Sequence, residues 1–182
     1  MEKLIENLSA LSSGCSLPIS LEVIGERWCF MILRASFNGI RHFEDFLSEI
    51  GIARNILANR LTRLVEAGIL SRRPCDHDRR KVEYRLTEKG ADLLPAIVAI
   101  RQWGEKWETG VPSNPILADA RNRQPIGRIS IRANDDRILG LDDLCWIDEE
   151  ELRNHASGKQ GGSDDRGDMV VRPLKELGGD PL

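Results

Sequence analysis

Arg54, Asn55, Asn59 and Arg63 follow one another at intervals of one, four and four residues, which on a helix sets them along one face. Arginine pairs bidentately with guanine and asparagine with adenine, so such a face is equipped to read base edges in a major groove. Ala58 and Thr62 share that face, while Ile56, Leu57, Leu61, Leu64 and Val65 form an apolar stripe on the other side of a helix expected over 53–67. Farther on, Arg79, Arg80 and Lys81 place three successive cations at the end of the connection CDHDRR (75–80), in reach of phosphates or a narrow minor groove. Asp76 and Asp78 oppose that charge and could instead hold the arginines while DNA is absent. Arg41 is a further candidate for a phosphate contact, or a residue that solvates its loop. A solvated helix face and a solvated turn are the alternatives for these segments, so their meaning depends on the elements around them.

Other reactive residues offer less. Cys15 follows Gly14 and precedes a helix start, where the local positive field can lower a thiol pKa and expose the thiolate to oxidants or electrophiles; the alternative is an inert cysteine. Cys29 sits in an apolar block and reads as a packed core thiol. Cys75 and His77 with Asp76 and Asp78 are crowded into one loop without a second ligand cluster, so no metal is expected. The three histidines, His42, His77 and His155, have no nucleophile or paired carboxylates at a telling spacing, and no phosphate-cradling glycine loop occurs. An enzyme has no residues to rest on, and no cofactor is expected.

The elements that must carry the basic face follow from periodicity. Leu4, Ile5, Leu8 and Leu11 form one stripe of a short helix that needs a partner surface. Leu21, Ile24, Trp28, Met31, Ile32 and Ala35 predict one helix over 19–36, stopped by Asn38-Gly39. Phe43, Phe46, Leu47 and Ile50 predict a second over 42–50, closed by Gly51, and the basic helix follows, with Gly68 as its stop. Residues 69–73 read as a strand ended by Pro74; 81–86 read as another, with Val82, Tyr84 and Leu86 inward and Lys81, Glu83 and Arg85 outward. Three short helices followed by an antiparallel pair make a winged helix-turn-helix. Thr87 is the expected cap of a further helix, which Pro95 should kink or restart; Leu94, Ile97, Val98, Ile100, Trp103 and Trp107 make it apolar around more of its girth than one small domain can cover. Beyond Pro112, segments 116–120, 128–132 and 137–141 suggest a small strand meander, 148–154 one or two helical turns, and the glycine-rich end from Ser157 a flexible tail.

Composition narrows the function classes. The 182 residues carry 26 Lys plus Arg against 29 Asp plus Glu, a net charge of −3, which argues against a sequence-blind nucleic-acid coat. The total hides a local excess, because residues 54–89 hold ten basic against five acidic side chains. The longest apolar run, 28–33, is far below the ~20 residues needed to cross a bilayer. No membrane association and no secretion signal are expected, and four scattered cysteines fit reduced thiols in a cytoplasm.

The stretches EVIGERW (22–28), NRLTRLVEAGIL (59–70), KVEYRLTEKG (81–90) and RQWGEKW (101–107), in that order, resemble the HxlR-type winged-helix transcription regulators of bacteria, within the MarR-like superfamily. The resemblance covers 15–108 and implies a homodimer held by the N-terminal arm and the long C-terminal helix, binding double-stranded DNA at a two-fold related operator. Leu4, Leu8, Leu94, Ile97, Ile100, Trp103 and Trp107 would then form the dimer interface. Some members sense oxidants or electrophiles through a cysteine just ahead of the first core helix, a place that Cys15 occupies here. Ile52-Ala53 departs from the Ser or Thr that usually caps the recognition helix. The expected fold is α+β and predominantly helical: an arm (1–14), a winged-helix domain (15–110), a small strand-rich extension (111–155) and a tail (156–182). The expected function is a sequence-specific regulator, its small-molecule effector open; the rival is a winged-helix module that binds proteins and not DNA.

Overall fold

The computed structural model describes residues 15–75, 78, 80–147 and 149–156. The expected arm helix with Leu4 and Leu8, the loop residues Asp76, His77 and Arg79, and the tail lie outside the described residues. The predicted helix over 19–36 is two helices, α1 (Ser16–Ile24) and α2 (Arg27–Phe37). The break falls at Gly25, where a Cβ would stand 2.5 Å from the Leu21 carbonyl oxygen, so only glycine fits the turn. Helices α3 (Phe43–Ile50) and α4 (Arg54–Glu66) follow as read from the apolar stripes. Gly51 between them has φ +67° and Gly68 after α4 has φ +69°, the left-handed backbone that makes each a stop. Cys29, Ile32 and Leu33 of α2, Phe46 of α3 and Leu57, Leu61 and Leu64 of α4 meet in one buried core, with Ile69 and Leu70 closing it.

Strands β1 (Leu70–Pro74) and β2 (Val82–Leu86) pair antiparallel, in register from Leu70 with Leu86 to Pro74 with Val82. The Tyr84 N–H donates to the Arg41 carbonyl at 2.8 Å and His42 Nδ1 to the Val82 carbonyl at 3.1 Å, so the approach to α3 runs along the free edge of β2. Tyr84 and Leu86 pack on the core, and Tyr84 meets Phe46 edge to face with ring centroids 6.4 Å apart.

Glu83 departs from the expected outward face, since it is only 5% exposed. Burial is tolerated because its carboxylate accepts from Arg85 Nε at 2.8 Å. That hydrogen bond, helped by the fields of Arg85, Arg41 and His42, holds the Glu83 pKa below its usual value against the opposing effect of burial. A lowered folded pKa means that the pairing stabilises fully above the unfolded glutamate value of about 4.3 and is lost as the pH falls from there toward the folded value. Thermal melts between neutral pH and about pH 3 should therefore show a smaller acid-induced loss of Tm in Glu83→Gln than in the parent. Equal losses in both would contradict this.

Thr87 caps α5 (Glu88–Ala91), its hydroxyl accepting from the Gly90 N–H at 3.1 Å. Pro95 restarts the chain as α6 (Leu94–Gly104), where its missing N–H falls in a first turn that needs no donor. A π-helical turn, Glu105–Thr109, ends it. The region beyond holds two isolated antiparallel bridges, Ala118 with Pro125 and Arg132 with Ile138, in place of the continuous strands of the expected meander. Each segment does turn back on itself: Asp119 N–H donates to the Gln124 carbonyl at 2.9 Å and Ala133 N–H to the Arg137 carbonyl at 2.9 Å. Arg123 (φ 61°) and Asp136 (φ 64°) supply the left-handed turn residues. What anchors this extension is α6. The Gln102 amide donates to the Gly127 carbonyl at 3.0 Å and accepts from the Ile129 N–H at 2.8 Å, and Arg101 donates to the Pro115 carbonyl. Helix α7 (Glu149–Ala156) follows. Among the described residues no helix is long and apolar enough to cross a membrane.

Candidate nucleic-acid interface

Helix α4 buries Leu57, Leu61 and Leu64 and turns Arg54, Asn55, Ala58, Asn59, Thr62 and Arg63 to solvent, all six as the stripe predicts. Asn55, Ile56, Asn59 and Arg60 line a shallow open depression of about 360 Å³ on this helix. No side chain caps α4 at Ala53, so its first-turn N–H groups have no capping side chain and suit a phosphate oxygen.

The four polar candidates on that face are not equivalent. Arg54 donates to Glu44 of α3 through both terminal nitrogens, Nη1 to Oε1 at 2.7 Å and Nη2 to Oε2 at 2.8 Å, and its guanidinium lies 5.4 Å from the Phe43 ring centroid. The pairing lowers the Glu44 pKa and raises that of Arg54. Asn59 Oδ1 accepts from Arg60 Nη1 at 2.7 Å, which leaves its amide nitrogen to donate. Arg63 points toward α1: it donates to Glu26 Oε1 and to the Glu22 carbonyl, each at 3.0 Å. Glu26 also binds Arg60, so one carboxylate ties two arginines of α4 to the α1–α2 joint. In this conformation Arg63 is engaged in holding α4 in place rather than projecting into a groove.

The wing supplies the second basic surface. Arg80 is 94% exposed along its side chain, and Asp78 Oδ1 accepts from its backbone N–H at 3.1 Å and from its Nε at 3.3 Å. Lys81 and Arg41 are exposed, and Arg72 and Arg73 of β1 add two exposed cations that the strand reading passed over. The Cys75 N–H donates to the Lys81 carbonyl at 2.8 Å, closing the base of the loop. Glu44, Glu26 and Arg60 also escaped the sequence reading: Glu44 is ten residues from Arg54 and Glu26 is 37 from Arg63, and no periodicity links such positions.

Cys15 is the N-cap residue of α1 and half-buried. Cys29 is 1% exposed, and burial pushes its thiol pKa up against the lowering field of Arg60, as a packed thiol requires. On α6, Leu94, Ile100, Trp103 and the following Trp107 are exposed, the last three by 55%, 55% and 63%. Ile97 instead packs against the core. Leu17, Ile19 and Leu21 of α1 are exposed apolar residues too.

A helix pair crossing at a glycine turn, its second helix presenting amide and guanidinium groups beside a basic two-stranded wing, defines the winged helix-turn-helix class of transcription regulators. The profile of HxlR-like helix-turn-helix proteins matches residues 23–111. An uncharacterised HTH-type transcriptional regulator of Mycobacterium tuberculosis, Rv3095, is 44% identical over 103 residues, a match that spans 57% of this chain and 65% of that protein, just under two thirds of the relative's length. YdeP of Bacillus subtilis, also an uncharacterised HTH-type transcriptional regulator, is 32% identical over 52% of this chain and 75% of its own. The crystal structure of PA1607, described as a candidate transcription factor, superposes with a TM-score of 0.70 at 37% identity and covers 78% of this chain and 99% of that one. The chain belongs to the HxlR-like helix-turn-helix family.

Proposed function

We propose that the protein is a cytoplasmic, homodimeric transcription regulator that binds double-stranded DNA sequence-specifically at a two-fold related operator. The observation that carries this reading is the outward face of α4, where exposed Asn55 and Asn59 stand one helical turn apart, with Arg54 at the helix start and the Arg80–Lys81 wing tip contributed by the same small domain. Asn55 and Asn59 read base edges; Arg41, Arg79, Arg80 and Lys81 grip phosphates. Residues 15–110 form the DNA-binding unit and the extension docked on α6 a separate appendage. Exposed Leu94, Ile100, Trp103 and Trp107, with the arm residues Leu4 and Leu8, meet their counterparts across the dyad, because so many large apolar side chains on one helix are covered most economically by a second copy. Relatives named as HTH-type transcriptional regulators support the same assignment.

Cys15 serves in this reading as an oxidant- or electrophile-responsive thiol. It stands at the N-cap position of α1, a helix whose last turn accepts from Arg63 of α4 at the Glu22 carbonyl, so a shift of α1 on modification of the thiol would reach the recognition helix. Mild oxidant should alter DNA affinity in the parent and leave Cys15→Ser unchanged in a gel-shift titration; an equal response in both removes the thiol from the account. The function itself is tested by incubating the protein with fragments of its own genomic DNA and sequencing what is retained. Enrichment of a shared inverted repeat is expected, and a stable complex with another protein in the absence of any DNA enrichment would favour the protein-binding rival.

A further inference from the structure

We propose that Glu44, which lies outside the reading helix, determines specificity by positioning Arg54: it occupies the terminal fork of the guanidinium so that only the side edge is offered to DNA. This rests on the proposal that α4 reads a duplex. Arg54 is the first residue of α4, the end of a recognition helix that approaches base edges most closely. Its guanidinium is held from two directions, by both Glu44 oxygens at 2.7 and 2.8 Å and by the Phe43 ring at 5.4 Å. Two parallel bonds fix the plane of the group as well as its place. Nε and the outer hydrogen on the neighbouring Nη stay without a partner among the described residues, and together they are a donor pair that fits guanine O6 and N7.

The carboxylate acts differently on two kinds of site. At an operator whose guanine meets the free edge, Arg54 binds while keeping Glu44, and its prior ordering lowers the entropy lost. On other DNA, Arg54 could help only by turning to a phosphate, which requires breaking the pair with Glu44 and leaving that negative charge beside the backbone. Glu44 therefore withholds one cation from indiscriminate binding and leaves the operator contact intact. Glu44 and Arg54 are 69% and 64% exposed along their side chains, so the effect is that of a solvent-accessible pair, several-fold rather than orders of magnitude.

The test is binding of the full-length protein to a pool of duplexes with randomised half-sites, read by sequencing, for the parent, Glu44→Gln, Arg54→Ala and the double variant. Glu44→Gln is expected to reduce preference at a single base position in each half-site by about three- to fivefold and to strengthen binding to non-operator DNA by a similar factor. Arg54→Ala should erase preference at that same position, and adding Glu44→Gln to it should then change nothing more at that position. A substitution that only disturbed the fold would weaken preference at every position, and circular dichroism melts would report it. Unchanged base preference in Glu44→Gln, or an equal gain in non-operator affinity with and without Arg54, overturns the proposal. If the parent itself selects no sequence, the DNA-binding reading has failed instead.

Discussion

Raising the salt from about 50 to about 200 mM is expected to weaken binding of the proposed dimer to duplex DNA by about 10³- to 10⁵-fold. The expectation follows from the wing and the helix start, since Arg41, Arg80 and Lys81 are exposed and the N-terminus of α4 has no capping side chain. If each subunit neutralises about three to five phosphates, log K falls against log salt with a slope near −0.9 times the total. The overall negative charge of the chain does not blunt this, because counterion release depends on the cations that touch phosphates and not on the sum. Arg80→Ala should flatten the slope by about one for each wing that contacts a phosphate and weaken all sequences alike, whereas Asn55→Ala should leave the slope and cost about 1–3 kcal/mol at one base position. Fluorescence anisotropy across a salt series with operator and scrambled duplexes separates the two. Identical behaviour of the two variants would mean that helix and wing do not divide the work as described.

Phe46→Ala is expected to destabilise the fold by about 3–5 kcal/mol and to lower Tm by about 10 °C or more. Phe46 is fully buried, and it stands where α3 meets both the core and the wing through its edge-to-face contact with Tyr84. Its loss removes apolar burial, opens a cavity between elements that cannot close independently, and frees the ring pair. The consequence reaches function because α3 and β2 jointly hold the relation between recognition helix and wing: the Arg41 carbonyl and the His42 ring bond β2, and Phe43 and Glu44 hold Arg54. A chemical denaturation series would show the loss as a lower midpoint. A shift below about 1 kcal/mol would show that the site collapses around the missing ring and that Phe46 is not the keystone inferred from its burial.

The elements that carry the site were legible because their signals are local. The stripe Leu57–Leu61–Leu64 is a period that only a helix satisfies, and it predicts the exposed face as its complement. Thr87, Gly51 and Gly68 act through their own backbone or the next turn. What escaped is non-local or masked by accident. Leu21, Ile24 and Trp28 keep helical spacing straight across Gly25, so the apolar pattern ran through a break that the close approach of the Leu21 carbonyl imposes. Alternation assigned Glu83 to solvent, yet the approach segment at Arg41–His42 covers that edge and Arg85 makes burial tolerable. In the extension, alternating residues read as strands, but its two turns are each closed by a single bridge instead of a ladder, and Arg101 and Gln102 of α6 hold the segments that flank the first of them, at Pro115, Gly127 and Ile129. The candidate interface was legible as a set of side chains and not as a set of states. Exposure of Arg54 and Arg63 follows from the helix period, whereas the carboxylates that engage them come from α3 and the α1–α2 joint, at separations that no pattern encodes.

The most direct measurement is a hydroxyl-radical footprint of the full-length protein on a genomic fragment it retains. The account predicts two protected patches related by a dyad, their centres about 10 bp or a multiple apart, with protection at each half-site lost together in a variant lacking Asn55, Asn59 and Arg80 side chains. A single unsymmetric patch, or protection that survives removal of those three side chains, would contradict it.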